Sequence, residues 1–185
     1  MKTYLFYYNG FCEAEVVHSI WFLKEKAISV ALEDRIYKSE SGQKFVPDIT
    51  ISKVNPSDVD LFIIPGGNPE YLYENKELKD FILELNNQGK YIAAICGGPF
   101  LLAKYGLLDG KNCTGGGSGI KPDSEHYKLF DKAILSFDSV TRDGNIITAM
   151  GSAFVELAIE VYGVLNLYKD EADKKETYDW LKNIR

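Results

Sequence analysis

A chain of 185 residues, 45% hydrophobic and 26% charged, can bury one core without disulfide or metal staples, and this composition excludes a fibre or a disordered chain. The formal net charge of -6 and a pI near 5.0 argue against nucleic acid or an anionic membrane as partner, because both require a basic face. The length predicts a single domain spanning residues 1–185.

Residues 2–8, KTYLFYY, are an apolar run closed by Asn9-Gly10 and predict a buried strand. The run is too short for a signal-peptide core, and no small-residue cleavage site follows it. No stretch is long enough to span a bilayer, so the expected location is the cytoplasm. Residues 13–26 place Val16, Val17, Ile20 and Leu23 at helical spacing, and a second strand is expected at 28–33. Residues 34–59 read as irregular, a hairpin plus a connection that carries Pro47 and Pro56. DLFIIPGG (60–67) predicts a strand ending in a glycine turn, and a helix over 75–88 should end near Gly89. KYIAAI (90–95) is a further apolar strand that runs directly into Cys96-Gly97-Gly98 and a helix opening at Pro99. Beyond it come a short strand near 112–114, a glycine turn at 115–119 and a hairpin over 139–150 around Asp143-Gly144. A long amphipathic helix (151–168) and a polar one (170–184) close the chain.

Strands alternating with helices imply an α/β architecture, a mainly parallel sheet covered on both faces. Such sheets bind ligands at the carboxyl ends of their strands. Three segments converge there: Gly10–Glu15, Gly66–Asn68 and Cys96–Pro99.

The most informative stretch is AAICGGPFLLA. A strand that becomes a helix within about one residue strains its turning residue, and Gly97 and Gly98 remove the side chains that would collide there. A helix N-terminus carries partial positive charge, which predicts a lowered thiol pKa and a reactive thiolate at Cys96. The competing reading is a buried structural cysteine. In IIPGGN, the turn after the strand exposes backbone N–H groups, so Gly67 and Gly97 are candidates to hold an oxyanion or a sulfinate. In GFCEAE, Glu15 lies near a helix start, where acids also occur for dipole reasons alone, and Glu13 competes for the same role.

Together the motifs GFCEAE, IIPGGN, AAICGGPFLLA, LLDGK and the helix after Met150-Gly151 resemble the ThiJ/PfpI family of the class I glutamine amidotransferase-like superfamily. The resemblance implies a flavodoxin-like three-layer sandwich with Cys96 as the reactive thiol. It implies that Glu15 is the acidic partner, often protonated and hydrogen-bonded to the sulfur, and that the Gly67 and Gly97 backbone forms an oxyanion pocket. It also implies a homodimer. One departure stands out. Hydrolytic relatives carry a histidine just after the LLDGK segment, and here Gly115 or Gly116 takes its place. A Cys–His dyad is thereby put in doubt. His18, three residues after Glu15, and His126 are possible auxiliaries, although a core or dimer contact for His18 and a surface role for His126 fit the sequence better.

Three cysteines, Cys12, Cys96 and Cys113, show no paired spacing and point to reduced thiols. Cys12 or Cys113 could resolve an oxidised Cys96, or both could be small core residues. No metal site and no cofactor are expected. The first reading is a redox-responsive stress protein; the alternatives are a small-molecule cysteine hydrolase or amidase, or a lyase or hydratase acting on reactive carbonyls, and a ligand-sensing module without turnover. The expected partner is a small-molecule substrate or an oxidant.

Overall fold

The structure is a computed structural model that describes residues 1–23 and 27–184. Its core is a seven-stranded sheet. In chain order the strands are β1 (Thr3–Phe6), β2 (Ala27–Ala31), β5 (Ile49–Thr50), β6 (Leu61–Ile64), β7 (Tyr91–Ile95), β10 (Val140–Asp143) and β11 (Ile146–Ala149). Across the sheet the order is β10-β11-β7-β6-β1-β2-β5, and only β10 runs antiparallel. Two small ladders lie outside it: β3 (Tyr37–Lys38) with β4 (Lys44–Phe45), and β8 (Asn112–Cys113) with β9 (Ile134–Leu135). The helices are α1 (Ala14–Trp21), α2 (Lys76–Asn87), α3 (Gly98–Lys104), α4 (Phe154–Val164) and α5 (Glu171–Lys182).

Period-two alternation along buried strands explains the two cores. Phe6, Phe62, Ile64, Ile92 and Ala94 face one side and pack with Leu78, Ile82 and Leu85 of α2 and Leu101 and Leu102 of α3. Leu5, Leu61, Ile63, Ala93, Ile95 and Ile147 face the other and meet Val16 of α1 and Leu157, Ala158 and Val161 of α4. The expected three-layer, flavodoxin-like arrangement is therefore present. The Asn75 side chain accepts the Leu78 N–H at 2.9 Å and starts α2, and Gly89 with φ +68 follows its end.

Several expectations shift. α1 is described only as Ala14–Trp21, and residues 24–26 of the expected helix lie outside the described residues. The irregular segment contains the expected hairpin, but it also supplies β5, whose two residues add an edge strand beside β2. Two residues are too few for periodicity to reveal. β9 was not expected for the same reason. His126 opens a 3-10 turn (Tyr127–Phe130) rather than a helix. The long helix begins at Phe154, after a 3-10 turn (Gly151–Ala153), and ends at Val164. Asn166, with φ +52, stands outside helical geometry and ends the run early.

Candidate active site

β6, β7 and the start of α1 deliver their ends to one place. Cys96 joins β7 to α3 with φ +57, a left-handed backbone that a non-glycine residue rarely adopts. Its own hydrogen bonds hold it there. The Cys96 N–H donates to the Ala149 carbonyl at 2.9 Å and extends the β7–β11 ladder, while its carbonyl accepts the Gly116 N–H at 2.7 Å. Glycine is required on both sides. A Cβ on Gly97 would overlap the Gly67 carbonyl oxygen, and one on Gly98 would come within 2.7 Å of the Ile64 carbonyl oxygen.

Glu15 sits in the first turn of α1, buried, with Oε2 accepting the Gly66 N–H at 3.0 Å. Its carboxyl is also hydrogen-bonded to the Cys96 side chain. Gly66 is itself fixed from the other side. Its carbonyl accepts the Tyr8 hydroxyl at 2.6 Å and the Cys12 N–H at 2.9 Å. Gly67, at φ +113, passes so close to Gly10 that no side chain could fit. Glu15, Cys96, Gly67 and Gly97 thus come together, and Glu13 instead bonds Ser41 at the surface.

Burial, then the Glu15 charge and the hydrogen bond to it, push the Cys96 thiol up to about 12, while the N–H groups of Gly97 and Gly67 pull it down. The lowered thiol pKa expected from the turn alone is therefore absent while Glu15 is ionised, because desolvation and a like charge outweigh a helix terminus. Burial also raises the Glu15 carboxyl. A protonated Glu15 reverses two of the opposing influences: its charge disappears and its O–H becomes a donor to sulfur. Burial thus raises both groups, and the two glycine N–H groups act on the sulfur.

Sequence reasoning gave no role to three contributors, although Gly66 and Gly151 lie in segments it singled out. Gly66 anchors Glu15, and Tyr8 anchors Gly66; only a strand-end aromatic hinted at the second. The third is Gly151: a Cβ there would stand 3.0 Å from Cys96 Sγ and 2.8 Å from Glu15 Oε1. The Met150-Gly151 step after a strand was its signal. The candidate auxiliaries lie elsewhere. The His18 ring packs on Phe154 with centroids 5.1 Å apart. His126 stacks on Phe100 at 4.4 Å and approaches Glu70 and Glu125 at 3.7 and 3.4 Å. Neither is among the groups that act on Cys96. Where a dyad histidine was sought, the backbone of residues 115–117 crosses the cysteine turn; a Cβ on Gly115 would be 3.0 Å from Pro99 Cβ. Among the described residues, no three His, Cys, Asp or Glu side chains converge to hold a metal ion.

Cys96 opens onto a cleft of about 600 Å³ lined also by Asn9, Gly10, Glu40, Gly67, Asn68, Glu70 and Tyr71. Residues 1–162 match the sequence model of the DJ-1/PfpI family. The chain belongs to the DJ-1/PfpI family. An uncharacterised protein of Methanocaldococcus jannaschii is 35% identical over 120 residues, 63% of this chain and 56% of that protein. The chain therefore matches little more than half the length of that relative. A deglycase of Pyrococcus horikoshii is 32% identical over 127 residues, 66% of this chain and 76% of the relative. The crystal structure of a ThiJ/PfpI family protein from Bacillus anthracis superposes with a TM-score of 0.85 at 22% identity, covering 100% of this chain and 91% of the other. This last likeness concerns the fold alone, which is the DJ-1/PfpI sandwich read from the motifs. Among the described residues, no helix is long and apolar enough to cross a membrane.

Proposed function

We propose that this protein converts small reactive carbonyl compounds, with Cys96 as nucleophile and Glu15 as the group that moves protons. One observation carries the reading: a thiol hydrogen-bonded to a buried carboxyl opens onto a cleft of about 600 Å³, large enough for a small metabolite. With a 2-oxoaldehyde such as methylglyoxal, sulfur adds to the aldehyde carbon and the C–S bond forms. The thiol proton passes through Glu15 to the carbonyl oxygen, giving a hemithioacetal. Glu15 then takes the proton from the aldehyde carbon and returns it to the neighbouring carbon, while the hydroxyl proton on the first oxygen passes to the second, so the adduct becomes a thioester of the 2-hydroxy acid. Water cleaves the C–S bond, releasing lactate and the free thiol. The oxidation of one carbon balances the reduction of the next, so no outside oxidant is required. The Gly67 and Gly97 amides face the charge that develops at the adduct. The name of the Pyrococcus horikoshii relative, a deglycase, points to the same class of reactive carbonyls.

Wild-type protein should consume methylglyoxal with formation of lactate. Cys96→Ser should abolish the activity and Glu15→Gln should lower kcat about 10²–10⁴-fold, the usual worth of a positioned proton carrier. Consumption by Cys96→Ser at the wild-type rate would remove this reading.

The amides on the sulfur also favour a second reading, a redox-responsive stress protein. A Cys96 thiolate would attack peroxide, breaking the O–O bond and releasing water. A second peroxide would carry the sulfenate to a sulfinate, held by Glu15 and the same N–H groups. Peroxide-treated protein should then gain two oxygens at Cys96, and a gain confined to Cys12 or Cys113 would rule this out. The expected homodimer has support in the exposed Val17 and Trp21 of α1 and the adjacent Phe22, which packs on Trp180.

A further inference from the structure

The cleft mouth has its own chemistry, distinct from the pair at its floor. Glu40 and Glu70 are the charged side chains that line it, and both are acidic. Of the basic groups around it, Arg35 Nε lies 2.8 Å from Glu33, His126 stands between Glu70 of the lining and Glu125, and the exposed Lys38, whose N–H bonds Asn9, is at the rim but not in the lining. The polar lining is equally one-sided. The Asn9 Oδ1 accepts the Lys38 N–H at 3.1 Å, and the Asn68 Oδ1 accepts the Glu70 N–H at 3.0 Å. Each carboxamide oxygen already accepts one hydrogen bond, and each carboxamide still offers N–H₂ donors. Tyr71 closes the rim through the Asn9 N–H, which donates to its hydroxyl at 2.8 Å.

We infer that the cleft over Cys96 selects uncharged or cationic polar carbonyl compounds and turns away those that bear a carboxylate. This inference rests on the carbonyl reading of the site and adds its substrate class. The amide N–H groups of Asn9 and Asn68 meet carbonyl or hydroxyl oxygens. Glu40 and Glu70 accept from hydroxyl or ammonium groups and repel anions at the entrance.

Thiosulfonate reagents of similar size but different charge test this without relying on turnover. In each, the Cys96 thiolate forms a new S–S bond, the S–SO₂ bond breaks and methanesulfinate leaves. The reagents are the ethyltrimethylammonium and ethylsulfonate methanethiosulfonates, with labelling of the Cys96 peptide followed by mass spectrometry. Two carboxylates on a solvated rim, each changing the local cation-to-anion ratio about threefold, set the scale. The cation-to-anion rate ratio should fall about tenfold from wild type to Glu40→Gln/Glu70→Gln. Comparing variants cancels the intrinsic reactivity of each reagent. In wild type, raising salt from about 10 mM to about 0.5 M should collapse the same ratio with no mutation at all. A ratio unmoved by both changes overturns the inference. If methylglyoxal is not consumed and the ratio still falls, charge selection stands and the carbonyl reading fails. If methylglyoxal is consumed and the ratio stays fixed, the reverse holds.

Discussion

Burying a carboxyl beside a thiol imposes a cost on the folded state, and that cost has a definite pH dependence. Glu15 is raised above 4.5, so the folded protein keeps a proton that the unfolded chain has already lost. Stability therefore falls as pH climbs from about 4.5 to the folded-state value and is level beyond it. Glu15→Gln removes the titrating group and leaves an oxygen to accept the Gly66 N–H. Its denaturation midpoint should gain on wild type as pH rises through that window, as urea melts at several pH values would read. A constant difference across pH would show that Glu15 does not titrate on folding. At this scale the sequence was informative about identity but not about energy. The meeting of Cys96, Gly67 and Gly97 was legible in the turns after two apolar strands, whereas Glu15 was separated from Glu13 only by the family resemblance. The raised Cys96 thiol was not, because it depends first on burial in the folded protein and then on a like charge contributed from 81 positions away along the chain.

At the scale of elements, the site is made by backbones in contact. β6 and β7 are parallel neighbours, and the turns leaving them, Pro65–Gly67 and Cys96–Gly98, lie against one another. Gly97→Ala places a methyl group on the Gly67 carbonyl oxygen and should cost about 1–3 kcal/mol, the usual penalty for overpacking. The same change should move the Gly67 amide away from the sulfur and slow Cys96 labelling. Wild-type stability in Gly97→Ala, by urea denaturation, would mean the turns are not in contact. The strands that deliver these turns were readable as continuous apolar runs. β5 and β9 were not, since a two-residue strand is defined by the neighbour it pairs with and not by a pattern of its own.

Across the whole molecule, the sheet and its two cores are separable from the last helix. α5 has no buried residue and meets the body through Lys182 Nζ on Glu156 at 2.7 Å, Tyr178 on the same carboxylate and Trp180 on Phe22. A chain ending at Tyr168 should unfold at lower denaturant than the full chain and still label Cys96 at the full-chain rate. Loss of that labelling would tie α5 to the site. The family match, which ends at residue 162, agrees with a site built without it.

The Glu15 contact and the cleft make one outcome decisive: which thiol reacts first. Cys12 is pushed up to about 11 and Cys113 to about 11, so acidity alone places neither of them behind Cys96 at about 12. Limiting iodoacetamide at neutral pH, followed by peptide mass spectrometry, compares the three directly. The account predicts that Cys96 is alkylated first and that Glu15→Gln changes its rate while leaving Cys113 unaffected. Alkylation of Cys12 ahead of Cys96, with Cys96 indifferent to Glu15→Gln, would contradict it.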